Sequence, residues 1–343
     1  MAIAGGNLGI DLGSASTAIC FPGQGVALRE ATYVLVLERD EKEVIALGDD
    51  AKSLLGRTDE ESCLIAPIMD GAVADTDMAT LLMTELAEKA VGRRRVMDKA
   101  RVALPISPGA TKVERAALMR AAAGTGARRT IAVKTPVAAA VGAGVEFHEP
   151  RGVMQIVLGS STTEISVLSM NGIVAARSMR VGGNAFDEAI QRYLRREKGV
   201  IVGARTAEDL KRDLGSAIEP KDETIVRVKG RSTENGRPVS VEINAKDIYH
   251  ALETPIENLV DAIRDALANT PAELAGDIME TGIHLSGGGA LLVGLDKRLR
   301  KETSIPVMVS ENPQDDVAIG LAMISAEERV IARLNATGAL FEA

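Results

Sequence analysis

Tryptophan is absent from the 343 residues, and phenylalanine (4) and tyrosine (3) are scarce. So few flat rings offer no stacking platform for single-stranded nucleic acid. Two cysteines, Cys20 and Cys63, cannot build a disulfide framework, and His148, His250 and His284 are too scattered to complete a zinc spacing. No run reaches the ~18 apolar residues that cross a bilayer. The opening MAIAGGNLGIDLG has neither a basic n-region nor a long apolar core. Secreted, membrane-spanning and metal-stapled classes are thereby excluded, and reduced thiols in a cytoplasmic protein are expected. Excess positive charge is also lacking. Lys and Arg number 40 against 48 Asp and Glu, a formal net charge of −8, so no nucleic-acid partner is expected.

What is present is an ordinary globular composition, 46% hydrophobic and 26% charged, in a chain long enough for about two domains of ~150 residues. Its pattern is duplicated. The apolar run 8–12 leads into LGSAST (12–17), and the run 153–158 leads into LGSSTT (158–163). Two nearly identical hexapeptides behind two strand-like runs predict two halves that each begin strand–turn–strand. Apolar residues recur at helical spacing over 76–90, 111–123 and 183–196, and a short strand 100–104 stops at Pro105. A small-residue helix opens near Pro136 (135–144). Thr206 with Asp209 reads as a capping box. Asn235-Gly236 predicts a hairpin turn within 224–243. Asn244 can cap a long helix towards Leu267, with Pro255 marking a kink or break. A strand (282–285), a glycine triplet, a helix (290–300), a strand (306–309) and a last helix from about Asp315 follow. Strands alternating with helices mean α/β with largely parallel sheets.

Three small-residue turns follow strands: Gly13-Ser14-Ala15-Ser16-Thr17, Gly159-Ser160-Ser161-Thr162-Thr163 and Ser286-Gly287-Gly288-Gly289. Backbone N–H groups in such turns can face a phosphate because no side chain holds it off, and hydroxyls add donors. The third is expected to open a helix, whose positive dipole end would face the ligand. Neither G-x-x-x-x-G-K-[ST] nor G-x-G-x-x-G is present. Asp11, just ahead of the first turn, either holds magnesium through water or caps the turn.

GIDLGSAST (9–17) resembles the first phosphate motif of the actin, hexokinase and heat-shock-chaperone superfamily. Within it, the chain resembles the bacterial actins of the MreB/Mbl family over nearly its whole length. The stretches that carry the resemblance are ALGDDAKSLLGRT (46–58), APIMDGAVADTD (66–77), PVAAAVGAG (136–144), MRVGGNAFDEAIQRYLRRE (179–197), GARTAEDLKRDLGSA (203–217) and LSGGGALLVGLDKRL (285–299). The resemblance implies an actin-like fold: two duplicated halves, four subdomains and a nucleotide cleft. Domain I would cover 1–143, with a small subdomain at about 32–65 and completion by 325–343. Domain II would cover 144–324, with a small subdomain at about 183–245. ATP and Mg2+ are implied as cofactors. Asp11, Gly13, Ser14, Ser16 and Thr17 would meet phosphates and magnesium, with Gly159, Ser160, Ser161, Thr162 and Gly183 on the other side. Glu208 and Lys211 would lie by ribose and adenine, and Gly287, Gly288 and Gly289 would close the site.

The same resemblance implies homopolymeric filaments at the membrane surface that position cell-wall synthesis or morphogenesis proteins. Five of the ten residues 92–101 are basic, around Val96-Met97, where the family's membrane-inserting loop falls. Val96 and Met97 are expected to form a shallow apolar anchor, and the loop 93–101 to meet anionic lipid.

Several positions depart from the family pattern. Its second phosphate motif, DIGGGTTE, here reads VLGSSTTE (157–164). Val157 replaces a metal-associated aspartate. Ser160 and Ser161 replace glycines and are expected to crowd the turn. Thr135-Pro136 stands for the family's Glu-Pro, removing the carboxylate that positions attacking water; Asn184 and Ala204 replace an aspartate and a glutamate. No Asp or Glu occurs in 132–145 or 150–163, so no catalytic group is expected at Thr135 or Val157 and hydrolysis should be very slow or absent. Nucleotide binding either survives through the first motif and the glycine triplet or is lost, leaving a constitutively assembling pseudo-ATPase. A small-molecule kinase of the same fold would need a carboxylate facing a substrate hydroxyl, which the region around Thr135 lacks. A chaperone-like ATPase would need a substrate-binding domain after Ala343.

Overall fold

The computed structural model describes residues 6–38, 42–56, 61–221 and 224–342. The opening residues 1–5, and Arg57 and Thr58 of the stretch 46–58, lie outside the described residues.

Two large sheets carry the duplication. In the first, Asn7–Leu12 pairs antiparallel with Ser16–Phe21, which pairs antiparallel with Gly25–Ala31. Arg101–Ile106 lies parallel on the other side of Asn7–Leu12, with Arg129–Lys134 parallel beyond it. In the second, Val153–Leu158 pairs antiparallel with Thr163–Ser169, and that strand with Gly172–Met179. Ile283–Ser286 and then Val307–Val309 lie parallel on the other side. The two strand orders are therefore the same. The first sheet adds one strand, Leu340–Glu342, at its edge. Every residue of Val153–Leu158 is buried, as expected for a central strand covered on both faces. Two three-stranded sheets complete the outer parts: Val34–Glu38 between Lys42–Leu47 and Ser62–Ile65, and Ile225–Ser232 between Val200–Ile201 and Pro238–Asn244.

The helices Thr135–Gly142 and Asp316–Ala326 cross between the sheets. A Cβ on Gly142 would overlap the carbonyl oxygen of Asp316, and one on Gly320 the carbonyl oxygen of Ala138. Each glycine thus meets the residue four positions before the other, a local two-fold relation. Each helix also serves the opposite half. Asp316–Ala326 packs on the first sheet, where Ala318, Leu321 and Ala322 fill the space above Gly9. Thr135–Gly142 packs on Val153–Leu158 and Thr163–Ser169, in a cluster that includes Val157, Leu168, Val317 and Leu321.

Side-chain caps fix three of the helix starts. Asp75 caps Thr76–Val91, and Thr111 with Glu114 forms a capping box for Lys112–Gly124. Gly183–Glu197 buries Phe186, Ala189, Ile190 and Leu194. Asn244 caps Ala245–Ala268, which runs through Pro255 unbroken; Pro255 is buried among core residues, and that packing outweighs the lost N–H bond. Several expectations fail. The strand expected to stop at Pro105 runs through it to Ile106, and the helix expected to be the last is followed by Glu328–Ala336. Thr206 and Asp209 make no capping box, because the helix Ala204–Leu214 has already begun at Gly203. The glycine triplet opens only the short 3₁₀ turn Gly288–Leu291, and the next helix, Leu295–Thr303, starts after Gly294. No helix dipole therefore points from the triplet. Among the described residues no helix is long and apolar enough to cross a membrane.

Candidate functional site: two facing turns

The two hexapeptides fold alike. The N–H of Gly13 donates to the Ser16 carbonyl (3.2 Å), and that of Gly159 to the Thr162 carbonyl (2.9 Å). A Cβ at Gly13 would come within 2.9 Å of the Ser16 oxygen, and one at Gly159 within 3.1 Å of the Thr162 oxygen, so glycine is favoured at both. The turns touch: Ser161 Oγ donates to Ser14 Oγ at 2.8 Å. Ser14 Oγ also accepts the N–H of Gly71 (3.2 Å). At the start of helix Gly183–Glu197, the N–H groups of Gly183 and Asn184 donate to the carbonyls of Gly159 (3.0 Å) and Ser160 (2.7 Å). These bonds tie down the turn's carbonyls.

Ser160 and Ser161 do not strain this turn, since neither has the positive φ that only a handful of non-glycine residues here adopt. The serines therefore bring no left-handed backbone strain to the turn. Gly287 does need its freedom: its φ is +87° and a Cβ there would overlap the Leu158 carbonyl. Gly289 abuts the Leu158 side chain, while Gly288 faces open space. The triplet therefore rests on the end of the strand that leads into the second turn.

Thr17 does not face the cleft. It is fully buried, and its hydroxyl is 2.9 Å from that of Thr32, which donates to the Gly13 carbonyl at 2.7 Å. Thr17 braces the turn from behind. Ser16 accepts from Arg29 (3.0 Å), which also pairs with Asp315 (2.7 Å). Burial pushes the Asp11 carboxyl up to about 6; Arg29 opposes this and Asp315 adds to it. Among the described residues no three acidic, His or Cys side chains gather into a metal site. A magnesium ion bound mainly by phosphates and water needs only one or two carboxylates. Asp11, half-buried at the end of its strand, suits a cation that arrives with phosphate.

Glu208 and Lys211 lie on the helix Ala204–Leu214. Lys211 Nζ donates to Asp187 and to the Gly183 carbonyl (3.0 Å), beside the second turn. Glu208 pairs with Arg212 (2.7 Å) and with Lys52 (3.3 Å). Lys52 comes from the helix Gly48–Ser53 of the first half, so this pair joins the two halves.

One buried carboxylate escaped the reading from sequence. The acid-free stretch ends at Thr163, and the next residue, Glu164, sits directly across the hairpin from Val157. Burial pushes its carboxyl up to about 8, against the opposing effect of the Ser107 and Thr135 hydroxyls beside it. Its Oε2 is buried and makes no well-formed hydrogen bond. The signal was available, because a tight hairpin pairs the residue before Leu158 with the residue after Thr163.

The loop 93–101 also corrects an expectation. Val96 (8% exposed) and Met97 (1%) are buried in the first half's core, turned inward by the single 3₁₀ turn Met97–Lys99. They present no apolar anchor. Arg101 is buried as well and pairs with Glu328. The exposed charges are those of Arg93, Arg94, Arg95, Asp98 and Lys99.

Residues 5–333 match the family model for MreB/Mbl proteins. The chain belongs to the MreB/Mbl family. It is 40% identical over 317 residues to the cell shape-determining protein MreB of Escherichia coli (strain K12), covering 92% of this chain and 91% of that one. It is 35% identical over 318 residues to the cell shape-determining protein Mbl of Bacillus subtilis (strain 168), covering 93% and 95%. Among solved structures, MreB 5 of Spiroplasma citri bound to AMPPNP superposes with a TM-score of 0.89 at 31% identity, over 97% of this chain and 98% of that one. The MamK double helical filament shares the fold at 18% identity, with a TM-score of 0.77 over 94% and 98%. The actin-like α/β fold expected from the sequence is thus borne out. This MreB/Mbl protein carries the family fold with threonine at 135 and valine at 157.

Proposed function

We propose that this MreB/Mbl protein binds ATP with magnesium between its two turns, polymerises with its own copies and serves cell shape, turning its nucleotide over slowly. The observation that carries this reading is the meeting of two like glycine turns at Ser14 and Ser161, each with backbone N–H groups free of large side chains. The relatives named for cell-shape determination and the AMPPNP-bound relative support it. Gly13, Ser14, Gly159, Ser160, Ser161 and Thr162 would hold phosphates, Asp11 the hydrated cation, and Glu208 and Lys211 the nucleoside end. Phosphoryl transfer depends on positioning and charge neutralisation. Thr135 can hydrogen-bond a water but cannot by itself take its proton near neutral pH, and Val157 offers a cation nothing.

Membrane association, in this reading, is electrostatic. Arg93, Arg94, Arg95 and Lys99 are exposed, and each is worth ~1 kcal/mol against anionic lipid. One loop binds weakly, and a filament multiplies it by avidity. Cell-wall synthesis or morphogenesis proteins would read such a filament. Electron microscopy of the purified protein with ATP, ADP and no nucleotide tests assembly, alongside a fluorescent-ATP titration and a phosphate-release assay. Filaments, nucleotide binding and slow release are expected; monomers under all three conditions would overturn the reading.

A further inference from the structure

We propose that Arg29 is a phosphate-binding residue of the nucleotide site, its guanidinium bringing to the first turn a positive charge that the turn itself lacks. The inference rests on the nucleotide-binding reading above and adds to it a residue from the strand Gly25–Ala31. None of the three small-residue turns, 13–17, 159–163 and 286–289, contains Lys or Arg. Backbone N–H groups and hydroxyls alone would have to face a polyanion. Charge-assisted bonds are the stronger ones, and the planar fork of arginine matches phosphate oxygens.

Strand register puts Arg29 beside the first turn. Asp11 pairs with Ala18, and Ala18 with Arg29, so the three form one row on one face of the sheet. Ser16, two residues before Ala18, shares that face. It is the face covered by the exchanged helix Asp316–Ala326, where Ala18 and Cys20 meet Ala318 and Ala322. From this row Arg29 reaches diagonally to the turn. Its Nη1 donates to Ser16 Oγ (3.0 Å), and its Nη2 donates to the Gln314 carbonyl (2.9 Å) and to Asp315 (2.7 Å).

An arginine carries five N–H donors, and these bonds use three. The Nε proton and the second Nη1 proton have no partner among the described residues, and the side chain keeps 27% of its exposure. Asp315 therefore steadies the guanidinium without filling its fork. The corresponding row of the second half, Val157–Glu164–Ser178, holds no cation. There Lys211 stands in, donating to the Gly183 carbonyl (3.0 Å) beside the second turn while Asp187 steadies it. Each turn thus has one cation at its side, brought from another element and braced by one aspartate.

The test is isothermal titration calorimetry with ATP, ADP and adenosine over a range of salt, for the wild type, Arg29→Ala and Arg29→Lys, with urea midpoints for each. Arg29→Ala should weaken ATP and ADP on the order of tenfold to hundredfold and leave adenosine within about twofold. It should also flatten the fall of ATP affinity with salt. Arg29→Lys keeps the charge without the fork and should lie between. Unchanged ATP affinity in Arg29→Ala overturns the inference. So does a loss that is equal for ATP and adenosine, or that keeps the wild-type salt dependence, because a mere strut between Ser16 and Asp315 would behave that way. A wild type that binds no nucleotide overturns the function reading and this inference with it.

Discussion

The two halves fold their opening hairpins alike and charge them differently. In the first, Asp11 stands before the turn and faces Ala18 across the hairpin; in the second, Val157 stands before the turn and faces Glu164. The acid has changed strands. Asp11 has Arg29 as a counter-ion nearby, whereas Glu164 has only hydroxyls. Backbone geometry has therefore been kept by duplication, while electrostatics has been free to diverge. The glycines that close each turn are required by contacts with backbone oxygen, and the residues that carry charge are not.

This contrast can be broken or sharpened by experiment. The largest effects are expected where the halves are still equivalent. Gly142→Ala and Gly320→Ala each drive a methyl into a carbonyl of the other helix, so each should cost several kcal/mol, about 3–5, and by similar amounts. Urea denaturation measures both, and a large inequality would show that the two-fold relation ends at the backbone. Where the halves differ, Thr135→Glu should raise phosphate release by ~10²-fold by supplying a carboxylate at the water; no increase would place the defect at Val157 instead. A smaller effect concerns stability and pH. The native Glu164 carboxyl holds its proton to about 8, above its ordinary 4.5, so the native state binds more protons than the unfolded chain between those values. Stability from this group accordingly falls as pH rises through that window. Glu164→Gln should remove the fall, giving a gain of about 1–3 kcal/mol at pH 9 relative to pH 5, read from urea midpoints at the two pH values. Smallest per subunit is replacement of Arg93, Arg94 and Arg95 by serine. It should weaken filament pelleting with anionic vesicles and leave neutral vesicles unaffected, and wild-type pelleting should fall steeply with salt.

The duplication was legible because the repeated hexapeptide sits behind two apolar runs, and side-chain pattern and turn chemistry agree there. Asn244 and the Gly183–Glu197 stripe were legible for the same reason, being local. What escaped was tertiary. Val96 and Met97 look like an anchor among arginines, yet one 3₁₀ turn rotates them into the core. The Leu285–Leu299 stretch reads as glycines opening a helix, but Gly294 and the 3₁₀ turn delay the helix until Leu295. Glu164 lay one residue beyond the acid-free stretch, and only strand alternation and the approach of the other half reveal that it reaches Thr135. Thr17 shows the converse: a hydroxyl in a phosphate-like motif that the pleat turns inward to Thr32.

The exchanged helices carry one more consequence. Asp316–Ala326 covers the first sheet and Thr135–Gly142 the second, so severing the connection at 143–152 would leave each fragment with an uncovered sheet face and a largely apolar helix without its partner. Made apart, the pieces should aggregate; made together, they should find each other and restore one particle. The molecule is two-fold in ancestry and indivisible in practice.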